Sequence, residues 1–124
     1  GYQTEELPAF YTRESGFKVN YRMDSPLEIA KALKAKTELG LKGAMLVANP
    51  IPEEYSMDKD VINKAIEDAI VEANNLGVKG KDITPFLLDK IQKITAGKSL
   101  EANIQLVYNN VKLGAQIAKE LCKL

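Results

Sequence analysis

One short apolar run, Ala44 to Ala48 in "GAMLVANPIPEE", constrains the fold more than any other part of the sequence. A continuous apolar run of this length is typical of a strand that is buried on both faces. The sequence Asn49-Pro50-Ile51-Pro52 ends the run, because proline cannot donate a backbone hydrogen bond to a sheet and restricts the residue before it. Helical patterns lie on both sides of the run, so the order of elements predicts a layered α/β/α fold.

No other strand is as clearly readable in the sequence. A single strand is too few for a sheet that is stable by itself. We therefore expect a helix-rich part of a larger α/β domain, with an exposed apolar surface where the rest of the sheet belongs.

The helices are predicted from their start and stop signals. The first begins after Ser25, which forms a capping box with Glu28 and is followed by Pro26 at the first helical position. Gly40 ends this helix. Three further helices are predicted over residues 57–76, 85–95 and 99–122, with Gly77 and Gly97 ending the first two and Ser99 capping the last.

The N-terminal segment, residues 1–23, has no helical or strand periodicity. It contains five of the eight aromatic residues of the chain: Tyr2, Phe10, Tyr11, Phe17 and Tyr21. We interpret it as an extended aromatic arm with one or two short strands, ahead of an α/β core over residues 24–124 within one domain. The alternative is a loop that covers the core of its own domain.

The composition excludes several classes of function. The chain has no histidine and one cysteine, Cys122, so a histidine general base, a Cys-His nucleophile and a clustered thiolate metal site are all excluded. Seventeen basic residues balance seventeen acidic ones, which gives no net field to attract nucleic acid or an anionic membrane. No apolar run is long enough to span a membrane, and the low cysteine content fits a reducing cytoplasm.

The last predicted helix carries amides at unusual positions. At 100° per residue its polar residues fall in a narrow stripe, made of Glu101, Gln105, Lys112, Gln116, Lys119 and Lys123. Asn109 lies beside this stripe, which predicts a solvated side chain. Asn103 and Asn110 point away from it, which predicts that both are buried and therefore need hydrogen-bond partners.

Those partners are either backbone groups of the chain or a polar ligand. Asn103 favours a ligand more than Asn110 does, because it lies near the positive N-terminal end of its helix. An amide can donate and accept, but it cannot transfer protons near pH 7. Asn49 is a weaker candidate: it would follow the carboxyl end of a strand, where ligands of α/β sheets gather, but a rigid structural turn explains it equally well.

Four strings resemble the C-terminal part of the pseudouridine-5′-phosphate glycosidase family, also called indigoidine synthase A-like proteins. They are "GYQTEELPAFY" at 1–11, "LVANPIPEE" at 46–54, "GKDITPFLL" at 80–88 and "GKSLEANIQLVYNN" at 97–110. Together they cover essentially the whole chain in the order and spacing of the family. The resemblance implies a layered α/β/α fold, a homotrimer, and reversible cleavage of the C–C glycosidic bond of pseudouridine 5′-phosphate to uracil and ribose 5-phosphate.

The resemblance also implies a division of roles. In the family a lysine attacks C1′ and forms a covalent adduct with ring-opened ribose, a glutamate handles protons, and an aspartate helps to hold a divalent metal, usually Mn2+. These three belong to motifs that precede "GYQT", so we expect no catalytic residue and no metal ligand among the present residues. We expect this chain to need the remaining N-terminal part of the enzyme as a partner and to be inactive alone.

One residue role carries over directly. Asn103, in "SLEANI", corresponds to the substrate-contacting asparagine of the family, and Asn110 is a weaker candidate for substrate binding. Scaffold and part of the substrate pocket are therefore the expected contribution of these residues. The alternative function is a non-catalytic α/β module that binds a small polar ligand; a regulatory interaction domain, suggested by the aromatic arm alone, is weaker.

Overall fold

The computed structural model describes all 124 residues and contains four α-helices. They extend over Pro26–Glu38 (α1), Lys59–Asn75 (α2), Ile83–Ile94 (α3) and Lys98–Leu121 (α4). Short 3-10 turns at Glu53–Tyr55 and Gly80–Asp82 precede α2 and α3. None of the helices combines the length and the apolar character that crossing a membrane requires.

Helix α4 joins two separate apolar cores. Its first half contacts α3 and shares with α2 and α3 a core that consists of Tyr11, Ile51, Ile62, Ala69, Ile91, Ala102 and Leu106. Its second half packs on α1 in a smaller core formed by Ile29, Ala30, Leu113 and Ile117. Because both cores depend on the same helix, α4 sets the position of α1 relative to α2 and α3.

The start of α1 is as predicted. The Ser25 hydroxyl accepts a hydrogen bond of 3.2 Å from the Glu28 backbone N–H, and the Glu28 carboxylate accepts one of 3.1 Å from the Ser25 N–H. Pro26 is the first helical residue, and Gly40 lies just beyond the end at φ +65°. Lys36, which faces the apolar side of α1, turns its amine to the Leu41 carbonyl at 2.8 Å.

The start of α4 differs from the prediction, because Ser99 is not its cap. The cap residue is Gly97, in the left-handed conformation at φ +84°, and the helix begins at Lys98. Ser99 is buried in the first turn, where its N–H donates to the Thr95 hydroxyl at 3.2 Å. Thr95, at the end of the preceding helix, thus helps to cap α4. Sequence patterns detect only caps that come from the residue directly before the helix.

The segment predicted as a strand forms no ladder. Of residues 44–48, only Ala48 takes part in a backbone hydrogen bond, through its carbonyl, which accepts from the Tyr2 N–H at 2.8 Å. Burial on both faces is also wrong for this chain: Met45 and Val47 are half-buried, while Leu46 is 84% exposed. A strand is stabilised by backbone hydrogen bonds to neighbouring strands, and this chain provides the segment with only one such bond, from Tyr2.

The aromatic arm partly covers the core of the chain. It contains two isolated β-bridges, Tyr2 with Met23 and Glu6 with Lys18. Tyr11 is 4% exposed and belongs to the larger core, whereas Tyr21 remains 77% exposed. The interpretation as a loop over its own core therefore holds for the middle of the arm.

Candidate functional site

The asparagines of α4 are the candidate site residues, and the structure places them differently from the prediction. The angular positions relative to the charged stripe do not by themselves determine burial. Asn103 is half-buried, Asn109 is half-buried and Asn110 is exposed. The predicted full burial of Asn103 and Asn110 and the predicted solvation of Asn109 are wrong.

Asn110 lies at the edge of the packed face of α4. Its side-chain oxygen accepts a hydrogen bond of 3.0 Å from the Asn49 side-chain nitrogen. Asn49 ends the extended segment, so this contact attaches that end of the segment to the middle of α4. The interpretation of Asn49 as part of a structural turn is therefore supported by a specific hydrogen bond.

Asn109 fixes the same turn through a backbone group. Its side-chain nitrogen donates to the Pro50 carbonyl at 2.9 Å. Pro50 and Pro52 have no backbone N–H, so at these two positions the backbone can bond only through its carbonyls. The sequence shows the prolines but does not identify the side chain that pairs with the Pro50 carbonyl.

A third side chain reaches the turn from the arm. The Arg13 guanidinium nitrogen Nη1 donates to the Ile51 carbonyl at 2.6 Å, and the Ile51 side chain is completely buried. The turn is thus held from α4 by Asn109 and Asn110 and from the arm by Arg13. Nothing in the sequence around Arg13 indicated this role.

Asn103 is placed for a different role, because the chain gives its amide no partner. No buried side-chain nitrogen or oxygen in the structure lacks a hydrogen bond, so the unpaired Asn103 amide reaches the surface. The side chains near it on the outer face of α4 are exposed and apolar: Leu100, Ile104, Val107 and Val111. A neutral donor and acceptor bordered by exposed apolar groups can recognise a polar ligand or another part of a protein.

The chemistry available in this region is recognition and not proton transfer. No group of three His, Cys, Asp or Glu side chains is placed to hold a metal ion. Burial raises the pKa of Tyr11, so its phenol stays neutral near pH 7 and is no base there. These residues therefore do not fit a manganese site by themselves.

A larger apolar cavity lies away from these asparagines. It is an open, mostly apolar space of about 540 Å³ between the arm and the extended segment, and its lining includes Leu7, Val19, Tyr21, Met23 and residues 44–48. It contains none of the three asparagines. A smaller polar groove of about 290 Å³ runs along the arm beside Arg13 and Arg22.

Comparison with known proteins identifies the family. The model of the family described as "Indigoidine synthase A like protein" matches residues 1–120. The chain is 67% identical over all 124 residues to a protein of Clostridium botulinum named pseudouridine-5′-phosphate glycosidase, and 60% identical to one of the same name from Caldanaerobacter subterraneus. It spans 40% of the length of each of these relatives, of which it resembles the C-terminal part.

Solved structures show the same fold. One is the prealnumycin C-glycosynthase AlnA in complex with ribulose 5-phosphate, with a TM-score of 0.86 and 26% identity over 98% of this chain and 40% of that one. Another is an indigoidine synthase A-like protein from Thermotoga maritima, with a TM-score of 0.82 and 39% identity over 95% of this chain and 38% of that one. The helix-rich arrangement is therefore part of an α/β domain. Sequence and fold agree that the chain belongs to the indigoidine synthase A-like family.

Proposed function

We propose that this chain is the C-terminal part of a pseudouridine-5′-phosphate glycosidase and supplies scaffold and one wall of its substrate pocket. The reaction is reversible cleavage of the C–C glycosidic bond of pseudouridine 5′-phosphate to uracil and ribose 5-phosphate. The observation that carries this proposal is 67% identity, over the full length of the chain, to a relative of that name. The sugar phosphate bound to the solved C-glycosynthase neighbour supports a phosphosugar substrate.

Asn103 is the residue that we assign to the substrate. Its amide is unpaired within the chain and reaches the surface, whereas Asn109 and Asn110 are engaged in holding the turn after the extended segment. Substrate binding by Asn110 is correspondingly less favoured than by Asn103, since a ligand would compete with Asn49 for the same side chain. An amide would bind a polar edge of the substrate and hold it while another group attacks.

The reactive groups belong to other parts of the enzyme. An amide cannot replace an activated nucleophile, and no metal-binding cluster is present among these residues. The family's lysine, glutamate and metal-binding aspartate therefore lie outside this chain in our proposal, as does the Mn2+ ion. A homotrimeric assembly, which rests on the family resemblance alone, and a cytoplasmic location, which rests on the low cysteine content, complete the proposal.

A joined protein tests this proposal. It consists of the preceding three-fifths of the Clostridium botulinum relative followed by this chain in place of the relative's own last two-fifths, which the chain matches end to end. We expect it to release uracil from pseudouridine 5′-phosphate in the presence of Mn2+, measured by chromatography of the products. A folded but inactive joined protein would contradict the proposed function.

The chain alone is the second arm of the experiment. Under the same conditions we expect no uracil release above the rate without protein. Appreciable turnover by the 124 residues alone would show that the nucleophile lies within them and would overturn the division of roles.

A further inference from the structure

The backbone of the extended segment is almost unpaired. Residues 44–47 donate and accept no backbone hydrogen bond, and Ala48 accepts a single one from Tyr2. The apolar side chains of this segment are typical of a buried strand, and backbone groups of buried segments are paired in nearly all native proteins, so covering this segment would require a backbone partner for it. This need is separate from any role of the segment in substrate binding.

The side chains of the segment alternate as those of a strand do. Met45 and Val47 are half-buried and pack against the core between α1 and α4. Ala44 and Leu46 face away and are exposed, Leu46 to 84%. Since successive strand residues point to opposite faces, one face of this strand lies on the helices and the other is bare.

The peptide groups of a strand also alternate between its two edges. The Ala48 carbonyl points to Tyr2, so the backbone groups of Leu46, two residues earlier, point to that same edge. The N–H and C=O groups of Met45 and Val47 then point to the opposite edge, where they have no backbone partner within the chain. Another extended strand matches this spacing of donors and acceptors along an edge.

We propose that Met45–Ala48 is an inner strand of a sheet, and that its free edge at Met45 and Val47 pairs with a strand from the part of the enzyme that precedes this region in the relatives. This inference rests on the proposed function, because it takes the chain to work within a longer enzyme. The chain spans 40% of the relatives and of the C-glycosynthase, so about three-fifths of such an enzyme is available to supply the strand.

The part of the enzyme that precedes this region in the relatives also accounts for the exposed face of the strand at Leu46. The Leu46 side chain lacks an apolar cover, and the backbone of Met45 and Val47 lacks a hydrogen-bond partner. A layered α/β domain provides both, because a neighbouring strand pairs with the edge and a helix packs on the face. A second copy of this chain pairing through the same edge would satisfy Met45 and Val47 but would leave Leu46 in water. The preceding part of the enzyme is therefore the better occupant.

Hydrogen exchange of the backbone amides in the joined protein tests the edge directly. We expect the amides of Met45 and Val47 to exchange at least a hundred-fold more slowly than that of Lys42, which is also unpaired within the chain but precedes the strand. Exchange of all three at similar rates would overturn the proposal. Protection that disappears on dilution, together with dissociation of copies, would assign the edge to a second copy and would also overturn it.

A substitution on the bare face gives an independent test. Leu46→Lys in the joined protein should lower the melting temperature by about 5 °C or more, because a charge would be buried under the covering layer. Leu76→Lys is the matched control, since Leu76 is 65% exposed at the end of α2, away from the strand. An unchanged melting temperature for Leu46→Lys, or an equal loss in both variants, would contradict a covered strand.

Failure of this inference can be distinguished from failure of the proposed function. Hydrogen exchange and melting temperature do not depend on turnover. A joined protein with protected Met45 and Val47 amides but no uracil release would retain the strand pairing and reject the reaction. An active joined protein with freely exchanging amides would retain the reaction and reject the pairing.

Discussion

Asn49 and Asn110 are joined by a side-chain hydrogen bond of 3.0 Å, which connects the end of the extended segment to the middle of α4. Asn110→Ala in the joined protein should lower the free energy of unfolding by about 0.5–1.5 kcal/mol, the usual net contribution of one hydrogen bond. Urea unfolding measures this. Asn49→Ala should add little in the double variant, since both changes remove the same bond; fully additive losses would show that the two amides act independently.

Asn109→Asp should destabilise the protein more near neutral pH than Asn109→Ala does. The carboxylate has the size of the amide but cannot donate to the Pro50 carbonyl 2.9 Å away, and two acceptors then face each other. Protonation restores a donor, so the carboxyl pKa should be raised in the folded state. The stability lost near neutral pH should therefore return as the pH falls below that pKa. Urea unfolding at a series of pH values checks this, and a loss that does not change with pH would contradict it.

Asn103→Ala should impair catalysis without affecting the fold. We expect kcat/KM of the joined protein to fall by about 10- to 100-fold, the effect of losing one hydrogen bond to a charged substrate group. The melting temperature should change little, because the amide has no partner within the chain. Gln116→Ala, an exposed amide on the charged stripe of the same helix, is the control. Unchanged kinetics for Asn103→Ala would remove this residue from the site.

Ser25→Ala should cost about 1 kcal/mol of stability, because it removes the acceptor for the Glu28 N–H at the start of α1. Glu28→Gln should cost less, since a glutamine side chain can still accept from the Ser25 and Asp24 N–H groups. Urea unfolding of both variants tests the order. A larger loss for Glu28→Gln would show that charge, and not the capping geometry, dominates.

Tyr11 should make the fold sensitive to alkali. Burial raises its pKa above the ordinary value of 10.0, so the folded state favours the neutral phenol. The corresponding stability is complete below the pKa of the unfolded chain and is lost as the pH rises through the folded pKa. Tyr11→Phe should move the midpoint of alkaline unfolding to higher pH, followed by circular dichroism. Tyr21→Phe, at a residue that is 77% exposed, is the control and should leave the midpoint unchanged.

The sequence predicts local features of this fold well. The capping box of Ser25 and Glu28 depends on residues within one turn of each other, so its pattern suffices to locate the start of α1. The start of α4 depends on Thr95, which ends the preceding helix, and on the left-handed Gly97. A pattern that treats each helix separately cannot include such a contact, and it therefore selected Ser99.

Burial along α4 is less predictable for a related reason. Leu106, Leu113 and Ile117 are buried on the packed face of this helix. The apolar residues of the helix cover a wider arc than this packed face, however, and Val107, in the uncovered part of that arc, is 52% exposed. Helical angles indicate which residues avoid water but not which neighbour covers them, so the burial of Asn110 was overestimated. The proposed substrate role of Asn103 involves residues outside this chain, so helical angles cannot indicate it.

The placement of α1 against the second half of α4 has a consequence for the order of events during synthesis. Ile29 and Ala30 become buried only when Leu113 and Ile117 pack on them, and α2 and α3 lie between these positions in the sequence. The ribosome therefore releases α1 long before its packing partner exists. Until α4 emerges, the apolar face of α1 remains exposed and can bind chaperones or other nascent chains. In a chain that is truncated before Leu113, this face remains exposed permanently.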